Sequence, residues 1–597
     1  MKSNTNNHFF TIFTTLLFFV LSSKNILYSQ DDEILKAMQD ELQRSLNELK
    51  LENLQKPYYI EYTLKIKKSL EIKGFLGSIT EKTSLNIANV TVGLRVGDYK
   101  FDNTNFFDFG LSFFGSGDEE ESFRNRRIPI ELDYKTIRRE LWLATDAAYK
   151  QVSETFAKKQ SVMKSRMIKD TTHDFLRLEP EKFKDIRKIP DFDAKKFENY
   201  IKQISNIFKK YPEFTSSIAL IEYLPETTYY INSEGREYIK TDFYTGVEIA
   251  ATTQTDDGMP LSSFYTCIVK DPGDIPDLDS LQKAAKIVAD NLKQLRKQKN
   301  LEEPYSGPVI FEGQAAAEIF AQVFAPNLVT QREPLTESGK QSSDRFMAFQ
   351  SKIGGRVLPE FLSLKATPTR DKAFGVPLVG NYKIDDDGVL AQEVELVKDG
   401  FLKNLLSSRV PTKRVRTTNG HQRGGAAMIS VLEIESDEKH SLSKAELKNK
   451  LIQLCKDREL PFGLIVRKIY NQNMLLTTLF QLNPGDFSFS FGGAQAKQPL
   501  IEVYKVFPDG KEELIRGCEA KGFTHQTFKD ILYVSKEKYV LNYLAPAITS
   551  PFTTGGSQYI PASVIVPDLL FEDGEIIPVE EDFPKPPILK NPLSEKN

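Results

Sequence analysis

Leu35, Met38, Leu42, Leu46 and Leu49 recur in helical steps and predict an amphipathic helix whose other face, charged with both signs, is solvated. Pro57 ends that pattern. Alternation over Tyr58–Ile66 and then Leu85–Val96 predicts two strands, the second closed by a Gly97-Asp98 turn. Residues 130–159, with the only tryptophan, Trp142, predict a long helix, and Phe192–Tyr211 a further one. Ser217–Val269 is strand-like with a turn at Ile231–Gly235. A clean helical stripe then runs through Leu278, Leu281, Ala284, Ala285, Val288, Leu292 and Leu295.

The second half reads mainly as strands. Pro308–Phe311 is a short apolar strand running into an alanine-rich helix from Gln314, which places Glu312 at the helix start and Glu318 almost two turns in. The Asp-Gly pairs at 387 and 399 suit tight turns needing positive φ. Asp385, Asp386 and Asp387 lack the alternate-position oxygens and distant glutamate of a calcium loop, which favours the turn. Asn483–Phe491 alternates as a half-buried strand, and Pro499–Val506, Glu512–Cys518 and Ile560–Phe571 predict others. Gly110–Arg127, with its acidic run and three arginines, reads as an exposed loop, and Pro578–Asn597 as a disordered tail.

Composition narrows the function. With 79 basic against 82 acidic residues and a net charge of −3 over 597 residues, nothing points to nucleic acid as a partner. Phe9–Leu21 is an apolar run behind Lys2 and a polar start, too short to span a bilayer, and predicts a signal peptide over residues 1–30 with export to the periplasm or cell envelope. Cys267, Cys455 and Cys518 are too few and too dispersed for a disulfide framework. The five histidines include no two within a helical turn of each other, so a helix-borne zinc pair is absent.

The strand and helix around Gly307–Gln322 resemble those that carry the metal motif of the TldD/PmbA family, the so-called modulator-of-DNA-gyrase metallopeptidases. Further matches are Ile384-Asp-Asp-Asp-Gly388, Val394–Asn404, the Thr417–Gly425 glycine-rich stretch, Arg516-Gly517 and Ile560–Phe571. The resemblance implies an α+β, two-domain fold: an N-terminal α/β domain over residues 31–300 and a strand-rich C-terminal domain over 301–577. It also implies a peptide-sized cleft. Active members carry His-Glu-x-x-x-His, and the alignment puts Glu312, Gly313 and Ala317 on its three chemical positions. The family's C-terminal cysteine is also missing from Ala547–Gly556.

Two readings of the site stay open. The first is a non-catalytic, peptide-binding or partner subunit without zinc, forming a dimer with itself or with a family homologue. The second is an active peptidase with a rearranged site, Glu312 and Glu318 serving as general base and acid or as oxygen ligands to a hard metal. Their purely structural roles would be a helix N-cap for Glu312 and a solvated side chain for Glu318. His421 and Arg423 are the candidates for binding a peptide carbonyl or carboxylate, in a stretch that otherwise reads as a flexible loop.

Overall fold

The structure is a computed structural model and describes residues 33–52, 54–107, 125–167, 170–333, 335–336, 339–340, 348–470, 498–547 and 559–594. The signal segment, most of the Gly110–Arg127 loop and the Asn483–Phe491 strand expected from the sequence lie outside the described residues.

The first half folds around a seven-stranded sheet. Strands β1 (Pro57–Phe75), β2 (Ser78–Val96), β3 (Asn125–Ile128), β4 (Lys182–Asp185), β5 (Phe214–Asn232), β6 (Glu237–Gln254) and β7 (Pro260–Val269) pair in the order β3-β2-β1-β5-β6, and both β4 and β7 pair with β6. Only β4 runs parallel to its neighbour. Alternation along β1 sends Ile60, Tyr62 and Leu64 into a core under helices α1 (33–48) and α2 (Tyr134–Ser165). Helices α3 (Ala194–Asn206) and α4 (Leu278–Leu295) cover the same sheet further along, through Ile201, Leu281, Val288 and Leu292. Asp133 and Asp277 accept first-turn N–H groups and fix where α2 and α4 begin.

The second half is a twelve-stranded sheet. Its principal strands are β8 (Tyr305–Phe311), β9 (Leu362–Ala366), β10 (Val394–Lys398), β11 (Phe401–Leu402), β12 (Val431–Ser436), β13 (Gly463–Ile469), β14 (Gln498–Val506), β15 (Cys518–Lys521), β16 (Ile531–Pro546) and β17 (Tyr559–Pro578). β17 pairs with β15, β15 with β14, β14 with β13, β13 with β8, and β8 again with β17, so these five strands close on themselves. Closure leaves β8 no free edge. Helix α5 (Gln314–Ile319) follows β8 directly, and α6 (Lys444–Asp457) packs Leu447, Leu451 and Cys455 against Ile310, Ile465 and Leu570.

A polar seam joins the halves. Arg409 is fully buried and donates to the Leu176 carbonyl (2.6 Å), to Tyr59 Oη (3.1 Å) and to Glu234 (2.6 Å). Asp386 pairs with Lys240 at 2.9 Å, and Arg236 donates to the Gly388 carbonyl. Elsewhere Asn542 donates to the Ile268 carbonyl at 3.0 Å. Beyond β17 the chain returns to the first half: Gln254 donates to the Pro584 carbonyl and Asn591 to the Pro212 carbonyl, in the segment the sequence reads as a disordered tail. The three cysteines are free thiols, with Cys455 and Cys518 buried.

Candidate functional site

β8 delivers Glu312 to the point where strand gives way to helix. The Glu312 N–H still belongs to the sheet, donating to Val466 at 2.9 Å. The next residue breaks away: Gly313 has φ 52° and ψ −117°, a conformation that disfavours any side chain, and its N–H donates to Asp568 Oδ1 at 2.7 Å. Ala315, Ala316 and Ala317 then point into the core with no exposure. The α-helix ends at Ile319, and the chain continues as a π-helical turn over Phe320–Phe324, packed on Phe349 and Phe528.

The two glutamates of this stretch have opposite surroundings. Glu312 accepts from Arg467 Nε at 2.8 Å, and Arg467 also pairs with Glu512 at 2.9 Å. The Glu312 carboxylate is therefore held in an ion pair rather than capping the helix; its backbone carbonyl takes the Ala315 N–H instead. Glu318 is not solvated, as its structural role had suggested, but wholly buried. Its Oε1 accepts from Gln322 Nε2 at 3.0 Å, and its Oε2 has no hydrogen-bond partner. Burial pushes its carboxyl up to about 8, the Gln322 hydrogen bond opposing only in part, so at neutral pH the group is an uncharged acid.

A zinc ion needs about three protein ligands. Glu312, Gly313 and Ala317, which the resemblance sets on the motif, supply one carboxylate, already bound to a guanidinium, one bare backbone and one methyl group. Among the described residues no group of three or more His, Cys, Asp or Glu side chains converges. The residues present at the motif do not fit a zinc ion.

His421 and Arg423 lie elsewhere. His421 is fully buried; Nδ1 faces the backbone and side-chain oxygens of Asn419, both at 3.0 Å, and Nε2 faces Ser430 Oγ at 3.3 Å. Two acceptors around Nδ1 place the proton there, and burial pushes the ring down to about 3, keeping it neutral. As folded, His421 has no free nitrogen for a peptide. The Arg423 guanidinium lies 4.6 Å over the Tyr382 ring and donates to the Pro561 carbonyl at 2.9 Å. Pro561 and Asp568 are seven residues apart on β17, about 23 Å along a strand, so the structure does not bring the Arg423 and Glu312 groups together.

The Asp385–Asp387 turn carries more than a turn. Gly388 has φ 74°, as the sequence predicts, but Asp385 also accepts from the Val389, Asp387 and Gln422 N–H groups. Against the cost of burial, the Lys240 and Lys65 ammonium groups hold Asp386 below the usual carboxylate range. Burial lifts Asp387 to about 6, with Arg409 opposing. Sequence reasoning missed Arg409. Nothing local marks it, because its partners come from residues 59, 176 and 234.

Residues 304–577 match the family profile of the PmbA/TldA metallopeptidase C-terminal domain. No curated protein matches the chain. Among solved structures, a Thermotoga maritima protein described as a candidate modulator of a DNA gyrase is 12% identical, with a TM-score of 0.54, over 90% of this chain and all of its own. TldE from Thermococcus kodakarensis is 13% identical, TM-score 0.52, over 91% of this chain and 100% of its own. A Bacteroides thetaiotaomicron protein described as a candidate modulator of DNA gyrase is 12% identical, TM-score 0.52, over 91% and 98%. At these identities the likeness shows a shared fold.

Proposed function

Because the chain belongs to the TldD/PmbA family, we propose that it is a peptide-binding or partner subunit in proteolysis that does not itself cut the chain it binds. The observation that carries this reading is the Glu312–Arg467 ion pair, followed by the bare backbone of Gly313 and the buried methyl of Ala317, where active members carry His-Glu-x-x-x-His. An arginine held against the first motif position repels a cation from it. Function lives in the site rather than the fold, and this site has lost the donors that zinc needs. The Phe9–Leu21 run places the mature protein outside the cytoplasm in this proposal, with residues 1–30 removed. A homologue bearing the intact motif, or a second copy of this chain, is the partner it implies.

A second reading rests on one observation. Glu318, lifted to about 8, holds a proton at neutral pH as a general acid must, and Glu312 would be its base. It requires a scissile bond, rather than a slender group at the end of a chain, to reach a carboxyl that is wholly buried.

Elemental analysis of the chelator-free full-length protein decides between them, with the Glu312→Ala, Glu318→Ala double variant beside it and a terminally blocked peptide library assayed for binding and cleavage. The expected result is peptide bound and recovered uncut, without stoichiometric zinc. One zinc per chain, lost together with cleavage in the double variant, would replace the first reading by the second.

A further inference from the structure

Beside the motif helix, three side chains keep oxygen atoms that nothing in the protein uses. Glu318 Oε2, Gln322 Oε1 and Tyr543 Oη have no hydrogen-bond partner among the described residues, although Glu318 and Tyr543 are wholly buried. Buried polar atoms are ordinarily satisfied, and several unsatisfied ones in one neighbourhood call for an explanation. Glu318 and Gln322 stand four residues apart, spanning the step from α5 into the π-helical turn, and are tied by the 3.0 Å bond from Nε2. The same Nε2 donates to the Tyr470 carbonyl at 2.9 Å, which fixes the amide and leaves its Oε1 unengaged. Tyr543 comes from β16, which packs against the helix, and its phenol is raised by burial and by the nearby Glu318 carboxyl. No cation contributes to the surroundings of Glu318. Four residues earlier on β16, the half-exposed Tyr539 ring borders the helix start, 3.8 Å from where a Cβ on Gly313 would stand, and it too feels Glu318.

We propose that this cluster receives a primary ammonium group, from a lysine side chain or a peptide amino terminus, whose three N–H donors reach Glu318 Oε2, Gln322 Oε1 and Tyr543 Oη. The match is one of number and kind. An ammonium brings three donors and no acceptor, and the cluster offers three oxygens, one of them on the Glu318 carboxyl, which releases its proton to solvent as the ammonium arrives and becomes its counter-ion. The Tyr539 ring at the helix start supplies an aromatic face of the sort that attracts cations, and its partial exposure makes it the way in. Gly313 leaves the approach beside that ring free of a side chain. The inference deepens the peptide-binding reading by naming the group on the peptide that this end of the helix recognises.

The test uses the full chain and calorimetric titration at pH 7 with n-butylammonium against n-butanol, in the wild type, Glu318→Gln and Tyr543→Phe. Circular dichroism confirms that each variant is folded. The wild type is expected to bind the ammonium at least about tenfold more tightly than the alcohol, the order expected when a buried acceptor meets a charged donor. Glu318→Gln should erase that preference and Tyr543→Phe should reduce it several-fold. Three short peptides separate the sources: acetylated and amidated with an internal lysine, amidated with a free amino terminus and no lysine, and blocked at both ends with no lysine. The ammonium-bearing peptide that gains over the blocked one identifies the source. Equal binding of ammonium and alcohol to the wild type, or a preference unchanged in both variants, overturns the proposal. If all three peptides bind alike, peptide binding stands and the ammonium site falls. If n-butylammonium binds in a Glu318-dependent way and no peptide does, the ammonium site stands and the peptide-binding reading falls.

Discussion

The seam between the two halves and the helix after β8 both bury carboxyl groups, and they treat them oppositely. At the seam, Glu234 has Arg409 and Asp385 accepts three backbone N–H groups, while the half-exposed Asp386 has Lys240. At the helix, Glu318 has one amide and no cation. A buried charge whose partners are all internal has finished its work on folding, whereas a buried acid left half-satisfied is retained at a cost. The contrast separates the residues that hold the molecule together from those that await something else.

The sharpest way to break the contrast is to make the seam resemble the helix. Arg409→Met removes the cation and leaves Glu234 with the Tyr99 hydroxyl but no counter-ion, and loss of one member of a buried pair costs about 3–5 kcal/mol. Urea denaturation should show a loss of that size, with Arg409→Met, Glu234→Gln recovering part of it because no uncompensated charge remains. A loss below about 1 kcal/mol would mean that the two halves are held by something other than the seam.

The converse change should stabilise. Burial lifts Glu318 from the ordinary glutamate value of 4.5 to about 8, so between those values the folded chain holds a proton that the unfolded chain has released. Stability from this group is then lost as pH rises from 4.5 to about 8 and is constant above. Glu318→Gln keeps the shape and cannot ionise. Its advantage over the wild type should be small at pH 4 and grow to about 2–4 kcal/mol by pH 8.5, read as the difference between two denaturation curves. A difference independent of pH would show that the Glu318 carboxyl titrates alike in the folded and the unfolded chain.

How much of this was legible along the chain depended on how far each feature reaches. Helix α4 could be read to its ends, because its stripe from Leu278 to Leu295 is local, and the structure adds the Asp277 cap that fixes its start. β8 and the start of α5 were legible for the same reason, as were the Asp-Gly turns: Asp399 and Gly400 have φ of 47° and 79° between β10 and β11. The burial of Glu318 was not. An acidic residue on an alanine-rich helix is ordinarily solvated, and what covers this one includes β16, more than 200 residues later. His421 sits in a glycine-rich stretch that looks like a loop, yet its ring closes a local network with Asn419 and Ser430. The seam was invisible because each of its bonds joins residues that sequence periodicity treats separately.

Gly313→Ala tests the backbone between the two glutamates. An added Cβ would meet only the Tyr539 ring at 3.8 Å, an ordinary contact, so crowding contributes nothing. The cost comes from φ 52° and ψ −117°, which L residues rarely adopt, and should be about 1–3 kcal/mol. A neutral substitution would show that Gly313 does not make this turn.

The smallest effect is expected at Glu312. Its carboxylate and the Arg467 guanidinium are 17% and 34% exposed, and Arg467 retains Glu512 when Glu312 is removed. Partly exposed pairs are worth about 0.2–1 kcal/mol, so Glu312→Gln should shift the denaturation midpoint only slightly. The same variant bears on function with more force than on stability. If Glu312 only restrains Arg467, peptide affinity in Glu312→Gln stays within about twofold of the wild type, and the glutamine still accepts from the guanidinium. If Glu312 is a catalytic base or a metal ligand, the variant loses cleavage by about a hundredfold or more while its stability barely changes. A residue that costs almost nothing to fold around and nearly everything to work without would move the chemistry of this molecule back to the start of α5.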